Sequence, residues 1–156
     1  MSKTCKTGAP WHLWFIALFL IFVYANGVYD YFMMLGHNMD YYEAKGFGEE
    51  TYKYFTNYPI GLLVFWTTNI LCGITSPILL LFRSRLTVWV AFISAVSMFL
   101  LEAIGFIFFD RWEALGTFVS LFDIGLLILT WIFYFYCRYL KKKGILKNIK
   151  RTFIQG

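Results

Sequence analysis

Four runs of more than twenty predominantly apolar residues, at about 13–35, 59–82, 86–109 and 115–139, leave this chain few folds to adopt. A bilayer core of about 30 Å is crossed by about 20 residues of helix. Lipid offers backbone amides no partner, so runs of this length must be helices, and they are too long for barrel strands. The expected fold is therefore all-α: an integral-membrane four-helix bundle over residues 1–140, followed by a basic tail at 141–156. Composition agrees. The chain is 60% hydrophobic and 22% aromatic, with only 15% charged residues and a mean hydropathy of +0.62. A soluble domain carries about 25% charged residues, so this one has too little polar side chain to coat a globule.

The net charge of +5 raises nucleic acid as a partner. The charges, however, are segregated along the chain and do not share a face. Eleven of the 14 basic residues lie in three stretches: Lys3 and Lys6; Arg83 and Arg85; and Arg138, Lys141, Lys142, Lys143, Lys147, Lys150 and Arg151. The two remaining connections hold Lys45, Lys53 and Arg111 against Asp40, Glu43, Glu49, Glu50, Asp110 and Glu113. Basic and acidic connections alternate, as four spans demand, and positive residues stay inside. Both termini are then cytoplasmic, the lipid bilayer is the partner, and nucleic acid is not. Trp11 and Trp14, Tyr52, Tyr54 and Tyr58, and Trp112 stand at span ends as aromatic belts. Lys3, Lys6 and Val23–Tyr24–Ala25 also resemble a cleavable signal peptide. The apolar run continues to Leu35, however, long enough to span.

Between spans one and two, Gly46 and Gly48 break the chain, and Glu49 to Phe55 reads as a short interfacial helix capping the bundle. In the tail, Ile145, Ile149 and Phe153 recur every four residues among basic side chains. That pattern predicts a basic amphipathic helix on an anionic leaflet, with Lys141, Lys142, Lys143, Lys147, Lys150 and Arg151 as lipid-surface contacts.

Polar groups inside the spans need a reason, because a charge at the bilayer centre costs at least about 2.5 kcal/mol. Asp30, Glu102 and Asp123 all fall roughly 8–12 Å below the outer surface at about 1.5 Å per residue. Glu102 shares a stripe with Ala91, Ala95, Met98 and Gly105, and Asp123 one with Gly116, Ser120, Leu127 and Thr130. Small residues mark close helix approach, so both acids should point inward. Asn26 precedes Asp30 by one turn, and Asn69 lies near mid-depth of span two. These five residues form a candidate polar or ion site, with Arg111 just above as a possible counter-charge. Two readings stand: hydrogen-bond glue between helices, or a proton- or cation-responsive site opening outward. Gly61, Gly73, Gly105, Gly116 and Gly125 read as packing positions, and Pro77 as a kink.

No catalytic residue, metal or cofactor is expected. His12 and His37 lie at opposite faces, Cys5, Cys72 and Cys137 are scattered, and HExxH, Walker, GxSxG and CxxC patterns are all missing from the sequence. The strings PWHLW (10–14), NGVYDY (26–31), YFTNYP (54–59) and LLLFRSR (79–85) resemble, in order, a family of small proteobacterial inner-membrane proteins. Some of its members are loosely labelled sugar transporters. The resemblance implies a bacterial inner membrane and four spans, and no established activity. The expected function is a non-enzymatic accessory or assembly module, as a homo-oligomer or within a larger membrane complex. The alternative is a small oligomeric transporter or ion-coupled protein using the acids. A third, a membrane enzyme acting on lipid, would use the same acids as bases.

Overall fold

The computed structural model describes residues 10–147, and its regular elements are all helices. In chain order they are α1 (Trp11–Leu35), α2 (Met39–Ala44), α3 (Glu49–Thr56), α4 (Ile60–Leu81), α5 (Leu86–Phe108) and α6 (Arg111–Lys142). Four of them, α1, α4, α5 and α6, are long and apolar enough to cross a membrane. The shortest, α4 with 22 residues, is about 33 Å long, matching the hydrocarbon core. The expected bounds hold within two residues for three spans. α6 starts four residues earlier and ends three later than expected.

Prolines set two of the starts. Pro10 and Pro59 sit extended just before α1 and α4, with φ of −65° and −63°, the value their rings impose. α4 and α5 are joined by a tight turn and form the most extensive pairing, flanked by α1 on α4 and α6 on α5. The expected small-residue stripe of α5 is buried throughout: Ala91, Ala95, Met98, Glu102 and Gly105.

α1 and α6 close the ring unevenly. At the basic end, Leu13, Ala17 and Leu20 share a core with Phe133, Cys137 and Leu140, and the His12 and Tyr136 rings meet at 5.9 Å. At mid-depth the Tyr24 hydroxyl lies 3.2 Å from both Ser94 Oγ and Thr130 Oγ1. Gly73 makes room for this tyrosine, since a Cβ there would fall 2.0 Å from its ring. Towards the acidic end a cavity lies between the two helices.

α2 and α3 cap the acidic end. α3 is the helix expected at Glu49 to Phe55. α2, capped by the Asn38 side chain on the Tyr41 amide at 2.9 Å, was not expected. Tyr41, Tyr42 and Phe55 pack with Met34 and Leu115 in one aromatic-rich cluster.

At the basic end the structure corrects the place of Ile145 in the tail. α6 stops at Lys142 and Gly144 adopts φ +70°. The Gly144 amide donates to Lys141 O and the Ile145 amide to Leu140 O, both at 3.1 Å, the paired bonds of a Schellman stop. Ile145 and Leu146 are then buried in the bundle core instead of facing a leaflet. Lys147 pairs with the α4–α5 turn through Arg83 O (2.6 Å) and the Arg85 amide (3.0 Å). No helix therefore starts at Ile145. Ile149, Lys150, Arg151 and Phe153, like Lys3, Cys5 and Lys6, lie outside the described residues.

Candidate functional site

Two backbone features build the site. Asp110 at φ +45° and Gly116 at φ +77°, ψ +167° bracket residues 111–115. The Gly116 conformation belongs to a region that only glycine occupies without strain. Gly116 is therefore an exposed bend and not a packing position; Gly61 and Gly125 are also exposed, with open space around them. The bend detaches 111–115 from the axis of α6 and sets Arg111 into the bundle, 8% exposed. Thr51 pins the segment from α3, donating to Ala114 O at 2.6 Å. Gly105 leaves a groove for the arginine chain: a Cβ there would lie 3.0 Å from Arg111 Cδ.

Arg111 thus sits between two acids. Its Nη2 donates to Asp123 Oδ2 at 2.7 Å, and its Nε lies 3.4 Å from Glu102 Oε2. Glu102 is 2% exposed and neither carboxylate oxygen accepts a hydrogen bond among the described residues, so its partnership with Arg111 is electrostatic. The Tyr54 and Tyr58 hydroxyls are buried in the same place. Burial pushes both phenols up, and the nearby guanidinium opposes the shift.

The other expected site residues divide. Asp30 accepts from the Tyr41 hydroxyl, lies 4.0 Å from Lys45 Nζ and keeps 40% of its side chain exposed. Burial first, and Asp30 second, push the Tyr41 phenol up. Asn26 turns back onto Phe22 O at 2.8 Å on an exposed rim. Asn69 lines the same cavity as the acids but is tied to α5, donating to Ser94 O (3.0 Å) and Ser94 Oγ (3.1 Å). With Tyr24 and Thr130 it forms a mid-depth cluster drawing one residue from each spanning helix. These interhelical bonds, with no acid among them, are worth about 0.6–2 kcal/mol each.

All five candidates line one cavity, where they act as an ion-paired centre (Glu102, Asp123), a rim (Asp30, Asn26) and an interhelical hydrogen-bond cluster (Asn69). Sequence reasoning missed Tyr24, Ser94, Tyr54 and Tyr58, and left Arg111 outside the bundle. Among the described residues, no three His, Cys, Asp or Glu side chains gather as a metal site.

The uneven closure of α1 and α6 leaves a cavity of about 510 Å³. Val23, Gly27 and Asp30 line it from α1, Phe118, Phe122 and Asp123 from α6, and Glu102 and Arg111 reach it from within. Phe118 and Phe122 are 83% and 56% exposed, so the cleft opens sideways, between two spanning helices. Its walls are apolar and its charged groups converge at one depth, which suits an amphiphilic guest. The chain matches no protein-family model, no curated protein and no solved structure.

Proposed function

We propose that this chain is a non-enzymatic accessory module of a bacterial inner membrane, with both termini cytoplasmic, that holds a lipid-like amphiphile in the cleft between α1 and α6. The observation that carries the reading is the lateral cleft with Arg111, Glu102 and Asp123 at one depth inside it. Its size selects the guest. A helix about 10 Å across would fill 510 Å³ with little more than one turn, so a partner helix is too large. A chain-like molecule with a small polar head fits instead, its head against Asp30 and Arg111 and its tail along Val23, Phe118 and Phe122. The acids support binding over catalysis, because Glu102 and Asp123 are engaged with Arg111. The orientation rests on the alternation of basic and acidic connections.

A second reading, an ion-coupled transporter acting as an oligomer, draws on Asp30, which stays 40% exposed at the rim of the same cleft. Gly27 supplies the test, since it lines the cleft and a Cβ there would meet nothing within 4 Å. Gly27→Trp should fill the space without disturbing the bundle. Native mass spectrometry of protein released from lipid nanodiscs should show one retained amphiphile on the wild type and none on Gly27→Trp. Equal adducts on both, or none on either, would dismiss the amphiphile reading. If Asp30→Asn alone then abolished ion-dependent uptake in proteoliposomes, the second reading would replace it.

A further inference from the structure

The basic end of the bundle carries a second pocket, separate from the cleft and independent of the reading above. It measures about 340 Å³ and is lined by Arg85 and Val88 at the start of α5 and by Arg138, Lys141 and Lys142 at the end of α6. Four cations thus face one space. The sequence offers them no internal counter-charge: its nine acids are Asp30, Asp40, Glu43, Glu49, Glu50, Glu102, Asp110, Glu113 and Asp123, all in the acidic half or its connections.

Two of the cations are held in place. Arg85, which lines the pocket, donates through Nε to Leu146 O at 3.2 Å. Arg138 lies over the Tyr134 ring, 5.8 Å from its centroid. A guanidinium pinned in this way presents a preorganised fork to a phosphate, which flexible lysines alone do not.

The level of the pocket identifies the source of that phosphate. Trp89, one turn beyond Arg85, is 63% exposed and Tyr139 is 52% exposed, the belt that marks a headgroup layer. Beneath them the α5–α6 seam is aromatic, with Phe92 packed on Trp131 and Tyr134, a surface suited to acyl chains. We infer that Arg85, Arg138, Lys141 and Lys142 form a site for the phosphate of an anionic phospholipid whose chains lie along the α5–α6 seam.

The full chain in detergent, titrated with dioctanoyl phosphatidylglycerol and read by native mass spectrometry, tests this. One lipid should bind per chain, and dioctanoyl phosphatidylcholine and inorganic phosphate should bind far more weakly. Arg138→Gln/Lys142→Gln, which removes no bond to the backbone, should weaken binding about thirtyfold. Arg85→Gln should act in the same direction but also frees the Leu146 carbonyl, so the first variant decides. Lys143→Gln/Lys147→Gln removes two charges outside the pocket and should leave most of the affinity. Equal losses in the two double variants would reduce the effect to diffuse attraction by the tail and overturn the site. Phosphatidylcholine binding as well as phosphatidylglycerol would also overturn it. Inorganic phosphate binding as tightly as the lipid would do the same, by making the ligand a soluble anion.

Discussion

Arg111 is the residue whose loss should be felt most, and the geometry ranks its two partners. The Nη2–Oδ2 separation of 2.7 Å and the Nε–Oε2 separation of 3.4 Å make the Coulomb attractions differ by only about a quarter. Hydrogen bonding separates them more strongly. Asp123 accepts a charge-assisted bond, worth about 1.5–3 kcal/mol, and Glu102 accepts none. With two carboxylates on one guanidinium, Glu102→Gln leaves a matched Arg111–Asp123 pair and should be close to neutral. Asp123→Asn should cost about 1.5–3 kcal/mol. Arg111→Met strands two buried acids and should cost about 3–5 kcal/mol, a fall in melting temperature of the order of 10 °C for a chain of this size. Replacing all three by apolar residues (Arg111→Met, Glu102→Leu, Asp123→Leu) should recover most of that loss. Thermal unfolding in detergent, followed by tryptophan fluorescence at neutral pH and low salt, gives all four values. An Arg111→Met protein as stable as wild type, or a Glu102→Gln cost exceeding that of Asp123→Asn, would refute the assignment.

Gly116→Ala forces an L side chain into φ +77°, ψ +167° and should cost about 1–3 kcal/mol, with a larger loss of cleft binding than of stability because the bend positions Arg111; equal melting curves would exclude strain there. A reporter active only in the periplasm should be bright when fused after Asn57 or Glu113 and dark after Arg85; a bright Arg85 fusion would invert the topology. Burial pushes the Tyr42 phenol up to about 12, against about 10 in an unfolded chain. The folded state therefore favours the neutral phenol, and its contribution is complete below about pH 10 and lost as pH rises towards 12. Tyr42→Phe should flatten part of the alkaline decline in melting temperature across that window, and an unchanged decline would remove Tyr42 from it.

Hydropathy alone located the spans, because a bilayer imposes a length that no soluble core does. Helical period alone turned Glu102 inward, since its neighbours at three- and four-residue spacing are small. Arg111 was harder to place. Read as part of a polar connection it belongs in water, and only the Gly116 bend, a backbone conformation that the sequence does not announce, carries it inside. Gly116 also fell on the Asp123 stripe, where a small residue reads equally well as a packing position. Ile145 departs from the expected tail pattern for a different reason. Gly144 directly after three lysines is a recognisable helix stop, yet Ile145 also fits a four-residue period. The local backbone signal won over the period because burying Ile145 and Leu146 completes the core beneath the α4–α5 turn. The helix Met39–Ala44 is short and not apolar, so neither length nor hydropathy marked it.

The two ends of the bundle settle their charge in opposite ways, and this bears on why an ion-paired centre exists at all. At the acidic end the buried Glu102 and Asp123 find their partner in Arg111, and the part-exposed Asp30 finds its own in Tyr41 and Lys45. At the basic end Arg85, Arg138, Lys141 and Lys142 face a pocket with no acid in that half of the sequence, the arrangement from which an anionic lipid is inferred. Stability alone does not call for the centre, because apolar residues of similar volume in place of a buried ion cluster are commonly as stable or more so. What apolar residues do not supply is separation. A greasy replacement could collapse onto α1, whereas charged groups fixed at one depth by Thr51, Gly105 and the Gly116 bend keep polar chemistry exposed to the cleft. The apolar triple variant therefore distinguishes the roles. If it is as stable as wild type and still retains the amphiphile, the centre is packing alone. If it is stable but no longer retains it, Arg111, Glu102 and Asp123 are there for the guest.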